Sequence, residues 1–229
     1  MEGPHELYSP SFRPLFELEA IPQATRLPWF WATRLKSLPR SDQTVLVLPG
    51  FMMDDWATAL LRSTLGRLGY RTMPWRQGIN RGQRKQYVRA LTACLDEIPS
   101  PKVAIIGWSL GGSYARDLAR IRPQRVSQVI TLGTPLVGGP RTTAAAAWYA
   151  KKAYDLDALA NLQAQQARQP IPCPVTAIYS ENDRFVCPAA CIDPYHAHVQ
   201  HVRVKCSHFG LVACPEVHTI VAETLASSA

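Results

Sequence analysis

No stretch of the sequence reaches the roughly 18 uninterrupted apolar residues that a membrane span requires. Its first residues, MEGPHELYSPSFRPLF, lack the charged-then-apolar design of an export signal. The expectation is a soluble, cytoplasmic protein in which contact with a membrane surface stays open. Acidic residues are scarce: 17 Asp and Glu stand against 25 Lys and Arg, for a formal net charge of +8. That balance favours anionic partners. Yet there is no long Lys/Arg block, no aromatic RNA-binding signature, no paired zinc spacing and no helix-turn-helix cue, so a nucleic-acid partner is not expected. The six cysteines would permit disulfides in a secreted chain, but without an export signal the reduced state is expected, and free buried thiols are the simpler reading. The tract from Cys187 to His208 also holds His196, His198 and His201, but its spacing matches no zinc pattern. Neither a metal nor another cofactor is called for.

What the chain does have is alternation. Short apolar or β-branched runs read as strands at Thr44 to Leu48, Tyr70 to Trp75, Lys102 to Gly107, Val126 to Gly133, Pro174 to Ser180 and Val199 to Val204. Between them lie helical stretches: Asp54 to Gly69, Gly82 to Ile98, one from Leu110 that ends at Pro123, and a last one after Pro215. This order predicts an α/β protein with a mainly parallel sheet flanked by helices on both faces. The segment between Thr134 and Pro170 is too long for a simple loop, and its alanine-rich part favours helix, so a small helical cap insertion is expected at about 136–170. The domain proper spans 41–229. Residues 1–40 form an N-terminal arm packing on the core, in which LPWFWATRLKSL (Leu27 to Leu38) reads as an amphipathic helix. Its consecutive aromatics Trp29, Phe30 and Trp31 are expected mostly as buried anchors, with a place over a pocket mouth or at a membrane surface as alternatives.

Chemistry concentrates where a strand meets Gly-Trp-Ser-Leu-Gly and turns into a helix. A tight strand-to-helix turn strains the serine backbone and lifts the Ser109 hydroxyl above the sheet, while Gly107 and Gly111 remove side chains that would collide with neighbouring backbone. The helix starting at Leu110 aims free N–H groups at the same point, which suits an oxyanion. Along that helix Leu110, Tyr114, Leu118 and Ile121 recur at helical spacing and read as core or pocket lining. A serine needs a base, and the base needs an acid to hold its tautomer. Asp183 follows one predicted strand and His208 follows the next. Of the competing acids, Glu181 should point to the other side of the turn and Asp193 should cap a helix or turn; Asp96 is the third. His196, His198 and His201 fall on or before the last strand.

These residues resemble the α/β-hydrolase family over roughly residues 44 to 229. Gly107 to Gly111 resembles its nucleophile elbow, Asp183 to Val186 its acid turn, and Ser207-His208 with the following apolar helix its histidine loop. The resemblance implies the α/β-hydrolase fold and a catalytic set of Ser109, Asp183 and His208. It also implies an oxyanion hole built from the backbone N–H groups of Phe51 and Leu110. One departure stands out: LPGFMMDDW carries Pro49 where many relatives have a histidine that supports this loop. Met52, with Phe51 and Met53, either walls an apolar pocket or packs in the core. TLGTPLVGG, with Pro135, resembles the loop that borders the site in lipase-like members. Trp148, Tyr149 and Tyr154 face an acyl chain or pack on the core, and Trp108 is either a packing plug or part of the acyl pocket. The leading expectation is a serine esterase or lipase acting on a small-molecule or lipid-like ester. The alternatives are an acyltransferase or thioesterase working on an acidic carrier protein, and a non-catalytic relative that only binds.

Overall fold

Alternate residues of each central strand face opposite sides of the sheet, and both sides are apolar. Val45 and Val47 pack in one core cluster with Ala104, Ile106, Ile130, Leu132 and Ile178. Leu46 and Leu48 pack in the other with Val103, Ile105, Val129 and Val175. A strand buried on both faces needs helices on both sides, which is why the short runs read as continuous apolar blocks. The computed structural model describes residues 7–10, 17–152 and 154–227. Six strands, β1 (Thr44–Leu48), β2 (Arg71–Pro74), β3 (Val103–Trp108), β4 (Val126–Leu132), β5 (Val175–Ser180) and β6 (Gln200–Val204), form one sheet in the order β2-β1-β3-β4-β5-β6. Every pairing is parallel.

One face is covered by α2 (Leu27–Thr33), α3 (Ala59–Arg67) and α8 (Pro215–Ser227), which contribute Leu27, Phe30, Leu61, Leu65, Val217, Val221 and Leu225 to the first cluster. The opposite face is covered by α4 (Arg84–Glu97) and α5 (Leu110–Ile121), through Leu91, Leu95, Tyr114 and Leu118. Between β4 and β5 the chain forms α6 (Ala146–Lys151) and α7 (Leu156–Ala167). A short helix, α1 (Ala20–Ala24), precedes α2. Residues 1–6 and 11–16 of the N-terminal arm lie outside the described residues, as do 153 and 228–229.

Three expectations need correction. The helix from Leu27 stops at Thr33 and gives way to a 3₁₀ turn at Leu35–Ser37. Trp29 is not a buried anchor but 65% exposed; Phe30 alone is buried, while Trp31 lies flat under the Arg67 guanidinium and donates to Thr64 Oγ1 at 2.8 Å. On α5, Ile121 is not part of the core but exposed, lining a surface groove beside α4. Among the described residues no helix is long and apolar enough to cross a membrane.

The chain runs from β1 outward to β2 and then returns across β1 to β3. That reversal opens a crevice beyond the carboxyl ends of β1 and β3, where a doubly wound sheet places its ligands. Gly50-Phe51 leaves β1 and Ser109 leaves β3 at this point.

Candidate active site

Ser109 is the turn residue between β3 and α5, with φ 53° and ψ −123°. The turn is as tight as its glycines allow: a Cβ on Gly107 would lie 2.3 Å from Gly112 Cα, and one on Gly111 would lie 2.5 Å from the Leu48 carbonyl oxygen. Besides the Gly112 N–H that bonds its carbonyl at 3.0 Å, two bonds to other elements hold the serine backbone in this conformation. Its N–H donates to Leu132 O at 2.7 Å, extending the β3–β4 ladder by one residue. Its carbonyl accepts from Thr134 Oγ1 at 2.8 Å.

Asp183 follows β5 and is 1% exposed. One carboxylate oxygen, Oδ1, accepts the backbone N–H groups of Phe185 and Val186 at 2.8 and 2.7 Å. The other, Oδ2, lies 2.7 Å from His208 Nδ1. An acceptor-only carboxylate at that distance places the imidazole proton on Nδ1 and leaves Nε2 as the basic nitrogen. His208 follows β6 and is 2% exposed. Its ring lies 5.0 Å from the Phe185 ring and 5.3 Å from the Trp108 ring, centroid to centroid. Trp108 also donates Nε1–H to the His208 carbonyl at 3.2 Å. The N-terminal segment reaches the same loop, where Glu17 Oε2 accepts from Phe209 N–H at 2.9 Å.

Ser109 and His208 line one cavity of about 230 Å³, walled by Phe51, Met52, Trp108 and Trp148. A second lobe of about 60 Å³ shares Ser109 and is bordered by Leu110, Pro135 and Tyr149. Phe51 belongs to both lobes and packs against Trp148 and Tyr149, with ring centroids 5.0 and 5.3 Å apart. Met52 and Trp148 sit half-open at the rim, 44% and 37% exposed, whereas Trp108 is 1% exposed. Trp108 is therefore both things at once, a wall of the cavity and a packed support for the histidine loop. The backbone N–H groups of Phe51 and Leu110 face no backbone acceptor among the described residues, although the next two N–H groups of the first loop are bonded, Met52 to Asn80 O and Met53 to Gly50 O.

Asn80 is the residue that sequence reasoning missed. Its Nδ2 donates to Pro49 O at 2.9 Å, its Oδ1 accepts from Tyr114 Oη at 3.0 Å and from Gly82 N–H at 3.1 Å, and its backbone bonds to Met52 and Met53. It ties the loop after β1 to the loop after β2 and to α5, which answers how this loop is held with Pro49 in place of histidine. A lone Asn in a turn carries no signal of that role.

The competing residues are engaged elsewhere. Glu181 is paired at the surface with Arg203 at 2.8 Å, and Asp96 with Arg122 at 2.8 Å. Asp193 caps the turn at Tyr195 and His196 as expected, but it also forms a buried ion pair with Arg116 at 2.5 Å. Burial alone would raise the Asp193 pKa, yet the Arg116 hydrogen bond and charge hold it below the ordinary carboxylate value. His196 faces Asp193, and His201 Nε2 accepts the Asp193 backbone N–H. All six cysteines are free thiols, and no metal-holding cluster of His, Cys, Asp or Glu occurs among the described residues.

No family model matches the chain, and no curated protein sequence matches it. Solved structures do. It is similar to the monoacylglycerol lipase of Paleococcus ferrophilus, with a TM-score of 0.63 and 14% identity over 84% of this chain and 97% of that one. It is similar to naproxen esterase from Bacillus subtilis, with a TM-score of 0.59 and 15% identity over 82% of this chain and 84% of that one. The thioesterase domain from the curacin biosynthetic pathway gives a TM-score of 0.53 and 16% identity over 82% of this chain and 92% of that one. Identities this low carry architecture and not chemistry. With the six-stranded parallel sheet, its strand order and its flanking helices, they establish that this chain has the α/β-hydrolase fold.

Proposed function

We propose that the protein is a serine hydrolase that cleaves carboxylic esters through Ser109, His208 and Asp183. The observation that carries this reading is the 2.7 Å contact between Asp183 and His208, made by a histidine that shares an apolar cavity with a serine in a strained turn. In the reaction, Ser109 Oγ attacks the ester carbonyl while His208 Nε2 takes its proton. The carbonyl electrons move onto oxygen, which the Phe51 and Leu110 N–H groups stabilise together with the N-terminal end of α5. Collapse breaks the C–O bond, and His208 returns the proton to the leaving alcohol. Water, deprotonated by the same nitrogen, then releases the acid from the serine ester. Asp183 stays ionised throughout and stabilises the imidazolium.

The larger lobe is lined mostly by apolar and aromatic side chains and suits the acyl group. At about 230 Å³ it lies below the roughly 300–1,000 Å³ usual for drug-sized ligands, which favours a short to medium chain. The test is a panel of chromogenic esters of increasing acyl length, run beside Ser109→Ala, with fluorophosphonate labelling of both proteins. Activity and labelling confined to the unaltered enzyme support the reading. Equal hydrolysis by Ser109→Ala overturns it, and failure of the folded protein to take the probe favours a relative that only binds.

One observation favours a second reading, acyl transfer from or thioester cleavage on an acidic carrier. The chain carries eight excess positive charges, and a groove of about 650 Å³ between α4 and α5 is edged by five cations, Arg84, Lys85, Arg89, Arg120 and Arg122, against two carboxylates, Asp96 and Asp117. Activity on carrier-linked acyl groups that falls steeply with salt, while small esters are unaffected, would select it.

A further inference from the structure

Asp183 and His208 stand on separate loops, so the 2.7 Å contact between them requires that the two loops be held at a fixed spacing. β5 and β6 run paired as far as Ser180 and Val204, and the Glu181 N–H adds one more bond to Val204 O at 3.2 Å. Beyond that point both chains leave the sheet. Asp183 fastens its carboxylate through the N–H groups of Phe185 and Val186, but those bonds anchor it to its own loop and do not set where the histidine lies.

The Ser180 hydroxyl crosses from one loop to the other. Ser180 is the last residue of β5 and is 1% exposed. Its hydroxyl donates to Cys206 O at 2.5 Å, and its oxygen accepts from Cys206 N–H at 2.9 Å and from Asn182 N–H at 3.1 Å. One donated and two accepted bonds use the full capacity of a hydroxyl. Cys206 lies two positions before His208, and Asn182 lies one position before Asp183. The Ser180 carbonyl also accepts from Asp183 N–H at 3.3 Å. The histidine loop is thus held from two sides, by Trp108 Nε1–H on the His208 carbonyl from β3 and by Ser180 on Cys206 from β5.

We propose that Ser180 is a positioning residue for the catalytic pair, its hydroxyl setting the spacing of the Asp183 and His208 loops and with it the direction in which His208 Nε2 is presented to the cavity. The role rests on the reading of Ser109, His208 and Asp183 as the catalytic set. Ser180 lines neither lobe of the substrate cavity, so its loss acts on turnover and not on substrate binding. Geometry sets the size of the effect. Displacing a reacting group by about 1 Å costs about 100-fold in rate, and two loops released from a shared hydroxyl have room for a shift of that order.

The experiment compares Ser180→Ala and Ser180→Thr with the unaltered full chain, by ester kinetics well below Tm and by proton NMR of the His208 Nδ1–H bonded to Asp183. That proton is identified as the far-downfield resonance lost in Asp183→Asn. Ser180→Ala is expected to lower kcat about 10–100-fold with KM changed by less than about two-fold, and to move or broaden the resonance. Ser180→Thr keeps the hydroxyl and is expected to restore the resonance and most of the lost kcat. Should the alanine variant fail to fold, Ser180→Cys takes its place, since a thiol offers only a weak donor and acceptor. The proposal fails if the folded variant keeps its kcat, if kcat falls while the resonance stays where it was, or if threonine does no better than alanine. An unaltered protein that cleaves no ester removes the catalytic reading instead, and the resonance alone then decides whether Ser180 sets the Asp183–His208 contact.

Discussion

Ser109 holds φ 53° and ψ −123°, a conformation open to glycine and strained for every residue with a Cβ. Two substitutions separate that strain from the chemistry. Both Ser109→Ala and Ser109→Gly remove the hydroxyl and are expected to abolish ester hydrolysis and fluorophosphonate labelling. They differ in backbone cost. Alanine keeps the strain of about 1–3 kcal/mol that a side chain pays here. Glycine escapes it but loses about 0.5–1 kcal/mol through the greater freedom of its unfolded chain. The balance leaves Ser109→Gly more stable than Ser109→Ala by roughly 0.5–2 kcal/mol, or about 2–6 °C in Tm for a domain of this size. Bonds to the backbone do not confound the comparison, because Leu132 O and Thr134 Oγ1 hold the Ser109 main chain and not its side chain. Scanning calorimetry with urea unfolding at one pH measures the difference. At an ordinary position glycine is the less stable of the two; that order at position 109 would refute the strained turn and the nucleophile geometry built on it.

Asp183→Asn presents an amide to His208 Nδ1 and favours the wrong imidazole tautomer, so kcat for ester hydrolysis is expected to fall about 10⁴-fold while the fold persists; a fall under ten-fold would remove Asp183 from the catalytic set. Gly133 has φ +56°, and a Cβ there would lie 2.5 Å from Leu211 Cδ1 and 3.2 Å from both Asp183 Oδ2 and His208 Cε1. Gly133→Ala is therefore expected to cost about 1–3 kcal/mol in urea unfolding and to lower kcat by about 10–100-fold as the pair is displaced. His218 is buried between Thr64 Oγ1 and Val212 O, and burial pushes its pKa down to about 4. The unfolded chain therefore takes up this proton first: the stability is fully present above about pH 6.5 and falls by about 3 kcal/mol as pH drops toward 4. Urea unfolding across this window, beside His218→Gln, measures it; an equal slope in the variant would assign the loss to other groups.

What could be read from the sequence was whatever depends on neighbours along the chain. Each of the four central strands, β1, β3, β4 and β5, is a run buried on both faces, so its signature is complete within five to seven residues, and the ends fell within a residue or two of Thr44–Leu48 and Val126–Leu132. The elbow is local for the same reason, since Gly107, Ser109 and Gly111 are dictated by contacts that a tight turn makes with itself and with the adjoining strand. Asp183 is the nearest case of chemistry written locally: the two N–H groups that hold Oδ1 come from residues two and three positions on, so its loop orients its own carboxylate.

What could not be read depends on residues brought together from a distance. Asp193 looked like a turn cap and is one, but its burial follows from Arg116, 77 positions earlier on α5, and a lone arginine on an apolar helix face gives no notice of its partner. Asn80 joins three elements through bonds spanning up to 34 positions, so its role appears only once the loops after β1 and β2 lie side by side. Trp29, Phe30 and Trp31 fail in the opposite sense. Three consecutive aromatics on a helix point in directions about 100° apart, so a single apolar face cannot bury them all. Phe30 takes the core, Trp31 takes the edge against Arg67, and Trp29 is left in solvent. Helical geometry alone would have excluded burial of all three, and periodicity, rather than aromatic content, was the better guide to this segment.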